Sequence, residues 1–194
     1  MELTTRLQRA INRACALHDG KKRKGEGNLP YISHLWSVYV ILTKYTDNED
    51  VFIGGIMHDV VKDIRGYNYH DLGEDIGWEI ADLVREISEF DNDKIDKKAT
   101  WTERKMAFLK KLETASEESL MICAADKIHN IKSTMDCYDA IGEEAFKNFD
   151  APIEKKLWFY EEVLKVLQLR LQNDIVIELM DVCQKARLAI EAPI

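Results

Sequence analysis

The sequence predicts an all-α fold, and three observations support this prediction. Apolar residues recur at the three- and four-residue spacing of helices along most of the chain. Alternating patterns, which would indicate half-buried strands, are scarce, and only 9 glycines and 3 prolines interrupt the 194 residues. A hydrophobic content of 46% is sufficient for a sizeable core. We therefore expect one helical domain over residues 1–194, with a motif-bearing core at about 14–136 and C-terminal helices at about 151–190.

The first half of the chain predicts three main helices. The first covers about residues 2–18, and the second begins at Pro30. A polar linker then supplies caps for a central helix, which we predict to be continuous over residues 48–64. One face of this helix is apolar, and the other carries His58, Asp59, Lys62 and Asp63. Gly54 and Gly55 lie within it, which indicates that a neighbouring helix or a ligand approaches the backbone closely.

The next segment predicts two further helices joined by a polar loop. An amphipathic helix is expected from about residue 78 to residue 90. Residues 90–100 are the most polar stretch and the best candidate for a mobile loop. Thr100 and Glu103 form a capping-box pattern that begins the following helix, which we expect to end near residue 114.

The last part of the chain predicts a buried helix followed by two more. Residues 119–135 are mostly apolar but contain Asp126. Burying this carboxylate without a partner would be costly, so it requires a cation or several hydrogen-bond donors. Asn130 and Ser133 share a helical face with Asp126. Two helices then cover about residues 152–189, and aromatic residues exposed on them would support a homodimer.

Composition restricts the classes of function. The net charge of −8 argues against binding to nucleic acid or to an anionic membrane surface, because both require basic protein surface. No apolar run approaches the 18 residues of a membrane span, and the N-terminal segment does not resemble a signal peptide. The four cysteines form neither a zinc motif nor a disulfide framework. We interpret them as reduced core residues of a cytoplasmic protein. They lie at positions 15, 123, 137 and 183.

The candidate chemistry lies in the order His34, His58, Asp59 and Asp126 along three predicted helices. Two imidazoles and two carboxylates form a mixed nitrogen and oxygen set. Such a set suits one divalent cation with open positions for water, such as Mn²⁺ or Fe²⁺. The chain has only 5 histidines, so a site with several metal ions is not expected.

These motifs resemble the HD-domain phosphohydrolases, and within them the hydrolase domain of the RelA/SpoT family and the stand-alone small alarmone hydrolases. The resemblance rests on HDGKKRK at 18–24, PYISH at 30–34, HD at 58–59 and ADKIHN at 125–130. It implies an all-α fold and hydrolysis of a small nucleotide. The implied reaction is Mn²⁺-dependent removal of the 3′-pyrophosphate from guanosine tetra- or pentaphosphate, the alarmones of the stringent response. The implied metal ligands are His34, His58, Asp59 and Asp126.

The same resemblance proposes residues that bind the substrate. Arg23 and Lys24 match positions that hold the guanine nucleotide, and Asn130 matches one that lines its pocket. Lys21 replaces the usual glutamine and adds positive charge near the expected path of the phosphates. Ser133 is included because it shares the face of Asp126.

The candidate catalytic residues Asp59, Lys62 and Asp63 include one departure from the family. Its members typically read His-Asp-x-x-Glu-Asp, whereas residues 58–63 read HDVVKD, so Lys62 replaces the glutamate that helps to activate water. A protonated lysine would instead bind a phosphate oxygen, and Asp63 becomes the candidate general base. Two alternatives therefore stay open. One is an HD phosphomonoesterase or phosphodiesterase acting on another nucleotide, and the other is a nucleotide-binding module with weak catalysis.

Overall fold

The computed structural model describes residues 2–23, 29–89, 96, 98–147 and 149–191, and this part of the chain is helical. Its one β-type contact is an isolated antiparallel bridge between Lys22 and Pro30. The prediction of an all-α fold is therefore confirmed. The described residues form a 3₁₀ helix at Gly142–Phe146 and ten α-helices: α1 Thr5–Leu17, α2 Ile32–Leu42, α3 Glu49–Met57, α4 Val60–Asp63, α5 Tyr69–Asp75, α6 Trp78–Ile87, α7 Trp101–Leu112, α8 Glu117–Ile141, α9 Ile153–Arg170 and α10 Ile175–Glu191.

The central helix is interrupted where the sequence predicted it to be continuous. His58 and Asp59 form a turn between α3 and α4. The carbonyl of Gly55, which a continuous helix would pair with the N–H of residue 59, lies 2.8 Å from the Nδ1 of His58. Successive side chains on a helix point about 100° apart. The turn removes this constraint, so both side chains reach the same cluster.

Helix α8 is the central column of the fold. It packs against α2, α3, α6, α9 and α10, and its 25 residues extend beyond the predicted range 119–135 at both ends. A Cβ added to Gly54 would lie 2.6 Å from Ile122 Cδ1 on α8, and one added to Gly55 would lie 2.5 Å from Leu42 Cδ1 on α2. The predicted close approach to this pair of glycines is therefore confirmed, and neighbouring helices make it.

Two local predictions, the capping box at Thr100 and the burial of the cysteines, were partly wrong. Thr100 precedes α7, but its hydroxyl donates to the carbonyl of Asp96 and does not cap the helix. Most of the predicted mobile loop at 90–100 lies outside the described residues. Cys123 and Cys183 are buried as predicted, whereas Cys15 is exposed. No helix in the described part of the chain is long and apolar enough to cross a membrane.

Candidate active site

Three segments bring two histidines and two aspartates together. His34 lies in the first turn of α2, His58 and Asp59 lie in the turn between α3 and α4, and Asp126 lies in the middle of α8. The Nε2 atoms of the two histidines are 3.2 Å apart. Asp126 Oδ1 lies 3.3 Å from His34 Nε2 and 3.6 Å from His58 Nε2. Asp59 Oδ2 lies 3.6 Å and 3.1 Å from the same two atoms.

This spacing fits a divalent cation. Two donor atoms about 2.1 Å from one ion lie about 3.0 Å apart at a right angle and about 3.4 Å apart at the tetrahedral angle. One ligand atom each from His34, His58 and Asp126 lies within 4.8 Å of the other two. All four side chains are buried, so water does not shield the donor atoms from one another.

Further hydrogen bonds orient the cluster. A carbonyl oxygen only accepts, so His58 Nδ1 donates to Gly55 and Nε2 faces the cluster. His34 Nδ1 lies 2.8 Å from His129 Nδ1, and the hydroxyl of Tyr31 donates to Asp59 Oδ2. Contacts of this kind around a metal site fix the tautomer and the orientation of the ligands.

The electrostatics of the cluster favour positive charge between the two carboxylates. Burial opposes the ionisation of Asp59, but His58 and Lys62 hold its pKa well below the usual range. Burial also opposes the ionisation of Asp126, but Lys127 and hydrogen bonds with His34 and His58 lower its pKa. Burial would lower the pKa of His58, yet the two carboxylates raise it to about 10. A site that stabilises a buried imidazolium so strongly is suited to a cation.

Two lysines already contact the carboxylates of the cluster. Lys62 Nζ lies 3.0 Å from Asp59 Oδ1, and the negative charge of Asp59 raises the pKa of Lys62. Lys127 Nζ lies 2.5 Å from Asp126 Oδ2, and its pKa is also raised, because the attraction of Asp126 outweighs burial. The side chain of Lys62 is 45% exposed, whereas that of Lys127 is 12% exposed. Lys62 therefore combines contact with the cluster and access to solvent.

The cluster opens into a cavity of about 490 Å³ whose wall carries more cations than carboxylates. Although the chain has a net charge of −8, seven of the described residues that line the cavity are lysine or arginine and five are aspartate or glutamate. Aromatic side chains form another part of the wall. The lining cations are Lys21, Lys22, Arg23, Lys62, Lys105, Lys127 and Lys156, and the aromatic residues are Tyr31, Trp101, Phe149, Phe159 and Tyr160.

The structure places most of the predicted substrate residues on this wall. Lys21, Arg23 and Asn130 line the cavity, and Arg23 Nη2 donates to Asn130 Oδ1 over 3.2 Å. Lys24 lies outside the described residues. Ser133 is not among the residues that line the cavity, and its neighbour Thr134 is. The helix therefore turns residue 134, one position further along, toward the cavity.

The predicted catalytic residues lie at the same cavity. Asp59, Lys62 and Asp63 all line it. Asp63 Oδ2 lies 3.7 Å from Lys21 Nζ, and its backbone carbonyl accepts a hydrogen bond from the same ammonium group. Asp63 thereby holds Lys21 at the cavity.

Sequence reasoning missed several cavity residues that come from α7 and α9 or adjoin α6. Glu89, Lys105 and Lys156 belong to no recognised motif and lie far along the chain from the histidines. Burial lowers the pKa of Lys105 and of Lys156 to about 8. Lys127 gave one usable signal, because it follows Asp126 directly after the apolar run at residues 120–125.

The comparison that decides the family covers most of the chain. The HD domain matches residues 10–149, which include all four members of the cluster. The chain belongs to the HD-domain family. This membership implies a divalent metal ion, and the buried His and Asp side chains of this HD domain fit one.

Relatives of this HD-domain protein include two named enzymes. MESH1 of Drosophila melanogaster, a guanosine-3′,5′-bis(diphosphate) 3′-pyrophosphohydrolase, is 26% identical over 131 residues, which cover 66% of this chain and 69% of that protein. The enzyme of the same name from Xenopus tropicalis is 25% identical over 130 residues, with the same coverage of each chain.

Solved structures share the fold of this HD domain. A metazoan orthologue of SpoT, described as hydrolysing ppGpp, has a TM-score of 0.77 at 20% identity, over 95% of this chain and 97% of that one. A protein from Listeria monocytogenes EGD-e has a TM-score of 0.68 at 23% identity, over 78% of this chain and 97% of that one. At these identities the likeness supports the helical architecture.

Proposed function

We propose that this protein is a metal-dependent pyrophosphohydrolase that removes the 3′-pyrophosphate of guanosine tetraphosphate (ppGpp), leaving GDP and pyrophosphate. The observation that carries the proposal is the placement of a buried His and Asp cluster on the wall of a cationic, aromatic-lined cavity. Similarity to the MESH1 enzymes over 66% of the chain supports the same substrate. We propose Mn²⁺ as the cation and the cytoplasm as the compartment.

The four residues of the cluster would hold the metal ion. His34 and His58 would offer Nε2, Asp126 would offer Oδ1 and Asp59 would offer Oδ2. A divalent cation bound there polarises a phosphoryl oxygen and lowers the pKa of bound water. The hydrogen bonds of His129 and Tyr31 keep the donor atoms aimed at the centre of the cluster.

The cations of the cavity would bind the phosphates. A nucleotide with two diphosphate groups carries several negative charges, and charge-assisted hydrogen bonds to lysine and arginine offset them. Lys62 is paired with Asp59 and is more exposed than Lys127, so it would contact the phosphoryl group that reacts. Lys21 and Arg23 lie farther along the wall, where Asp63 and Asn130 fix their positions.

The aromatic part of the wall would receive the base. Trp101, Phe159 and Tyr160 are buried residues on α7 and α9 that border the cavity. A purine ring stacked on such a surface gains about 1–3 kcal/mol. Asn130 and Thr134 on α8 offer hydrogen-bonding groups beside it.

The proposal is tested by product analysis with the full chain. The purified protein is incubated with ppGpp, GTP and a chromogenic phosphodiester, with Mn²⁺ present or chelated, and phosphate and pyrophosphate are measured separately. We expect pyrophosphate from ppGpp, dependent on Mn²⁺ and abolished in Asp126→Ala. The matched control is Asp136→Ala, which changes an exposed aspartate of the same helix and should retain activity. Release of inorganic phosphate alone would contradict the proposed reaction.

The position of Lys62 favours a second candidate, a nucleotide-binding module with weak catalysis. Its ammonium group occupies the family position of a water-activating glutamate and is held by Asp59 over 3.0 Å. This candidate predicts that ppGpp binds in the presence of Mn²⁺ without turnover. Calorimetry run beside the product assay separates the two candidates.

A further inference from the structure

A small second cavity of about 30 Å³ adjoins the metal-binding cluster. Its wall includes His58, Asp59 and Asp126, three of the four residues of the cluster. A space of this size holds a water molecule if polar groups surround it, and this wall supplies several. The small cavity is therefore a place where a water molecule can contact both the cluster and another polar residue.

Among the described residues that line the small cavity, Glu89 provides the one carboxylate outside the cluster. Glu89 lies just after the end of α6, and its side chain is 15% exposed. Arg104 Nη1 donates to Glu89 Oε2 over 2.6 Å, and Lys105 contacts Oε1. A carboxylate has about four lone-pair positions, so these two bonds leave Glu89 able to accept another.

Glu89 and Lys62 carry opposite charges beside the cluster. The family typically has a glutamate at the position of Lys62, whereas the acidic residue here reaches the cavities from the end of α6. Lys62 and Glu89 line both the large and the small cavity, and Lys62 is one of the cations that lower the pKa of Glu89. The structure thus places a carboxylate from the end of α6 and the ammonium group of Lys62 from α4 beside the cluster.

We propose that Glu89 binds the attacking water and accepts its proton, in place of the family glutamate that Lys62 replaces. This inference rests on the proposed function. The water oxygen forms a bond to the phosphorus attached to the ribose 3′-oxygen. The bond between that phosphorus and the 3′-oxygen breaks, and its electron pair stays on the 3′-oxygen. The proton of the water passes to Glu89 and from there to solvent, while the 3′-oxygen takes a proton from solvent.

The charges around Glu89 keep it ready to accept a proton at neutral pH. Burial opposes its ionisation, but Lys105 above all, with Lys127 and Lys62, lowers its pKa. Arg104 on α7 faces it as well. These cations come from α4, α7 and α8, so they surround the carboxylate on several sides. Glu89 is consequently ionised at neutral pH, and it becomes protonated only when the pH falls below its lowered pKa.

The test compares five variants of the full chain with bound Mn²⁺. Glu89→Gln should lower kcat about 10²- to 10⁴-fold, the usual contribution of a general base, with KM and Mn²⁺ affinity nearly unchanged. Glu89→Asp keeps the charge that anchors Arg104 and Lys105 but withdraws the carboxylate, so it should also lower kcat at an unchanged melting temperature. The matched control Glu86→Gln, three residues earlier, should keep wild-type kcat.

A rescue experiment supplies the sharpest result. Lys62→Glu introduced into Glu89→Gln restores a carboxylate at the family position, and it should recover at least tenfold of the lost kcat. The pH profile of kcat should lose its acidic limb in Glu89→Gln and regain one in the double variant. A wild-type kcat in Glu89→Gln would overturn the proposal. The same result would follow if the double variant with Lys62→Glu lost as much kcat as Glu89→Gln alone. A larger loss in Asp63→Asn with normal Glu89→Gln would do the same, in favour of Asp63 as the base.

The outcome also separates this inference from the proposed function. If the wild-type protein releases no pyrophosphate from ppGpp but hydrolyses the phosphodiester, the proposed substrate is wrong. The same variants then test Glu89 on the phosphodiester. If the wild-type protein turns over no substrate of the panel, both proposals fail.

Discussion

Replacing His129 by alanine should weaken metal binding without touching a metal ligand. When His34 Nε2 faces the cation, its Nδ1 carries the hydrogen and donates to His129 Nδ1, 2.8 Å away. A net hydrogen bond is worth about 0.5–1.5 kcal/mol between neutral groups and about 1.5–3 kcal/mol when one partner is charged. An imidazole bound to a divalent cation belongs to the charged class. The larger range corresponds to a loss of about 10- to 100-fold in affinity, which is typical of such outer contacts.

The assay for this prediction is calorimetric titration of metal-free protein with Mn²⁺ at constant pH. His129→Ala should raise the Kd for Mn²⁺ about 10- to 100-fold. His129→Asn should recover part of the lost affinity, because its Oδ1 can replace the accepting nitrogen. His70→Ala is the matched control, because His70 is exposed and stacks edge-on against Trp78. A Kd of His129→Ala within twofold of the wild-type value would refute the reasoning.

Three further predictions concern the cluster, the helix contacts and the cysteines. Asp126→Ala should abolish stoichiometric metal binding, measured by mass spectrometry of the purified protein, and full metal occupancy would contradict the assignment. It should also lower the free energy of unfolding by about 3–5 kcal/mol, because Lys127 loses its buried partner. Burial opposes ionisation of Glu178, but hydrogen bonds from Lys132 and Tyr45 lower its pKa, so its stabilisation is present above its unfolded pKa of about 4.3 and is lost as the pH falls through the folded value. Glu178→Gln should therefore lose about 1 kcal/mol in denaturant unfolding at pH 7, and this difference should disappear once the pH falls below the folded pKa of Glu178; a difference that is constant with pH would count against the lowered pKa. Burial raises the pKa of Cys123 and Cys183 to about 12, so iodoacetamide at pH 8 should label the exposed Cys15 long before these two, as peptide mapping would show; equal labelling rates would contradict their burial.

The sequence was sufficient to predict the helical class and the residues of the cluster. Apolar spacing depends on neighbours within a few residues, so it revealed most helices, and two short motifs gave His58, Asp59 and Asp126. The break between α3 and α4 was missed because the apolar pattern continues through it. The interruption arises from the contact of the His58 side chain with a backbone carbonyl, which periodicity does not report.

The wall of the cavity was harder to predict than the cluster. Glu89, Lys105 and Lys156 meet only when α6, α7 and α9 pack, and helix packing depends on contacts between residues far apart in the chain. Each would pass as an ordinary surface charge on an amphipathic helix. Burial distinguishes them, and a single sequence gives no direct measure of burial for a charged residue. Ser133 is the complementary case, since ideal helical geometry places it on the face of Asp126, whereas Thr134 lines the cavity and Ser133 does not.

Helix α8 also fixes the distance between two residues of the cavity wall. Asp126 at the cluster and Thr134 at the cavity wall lie on one continuous helix, eight residues apart, which is about 12 Å along the axis. A helix packed on several sides does not stretch, so this span cannot adjust to its occupant. A molecule that reaches Thr134 while one of its phosphates is at Asp126 must match that span. A shorter phosphate ester would contact one end only, so we expect a molecule that spans about 12 Å to make both contacts.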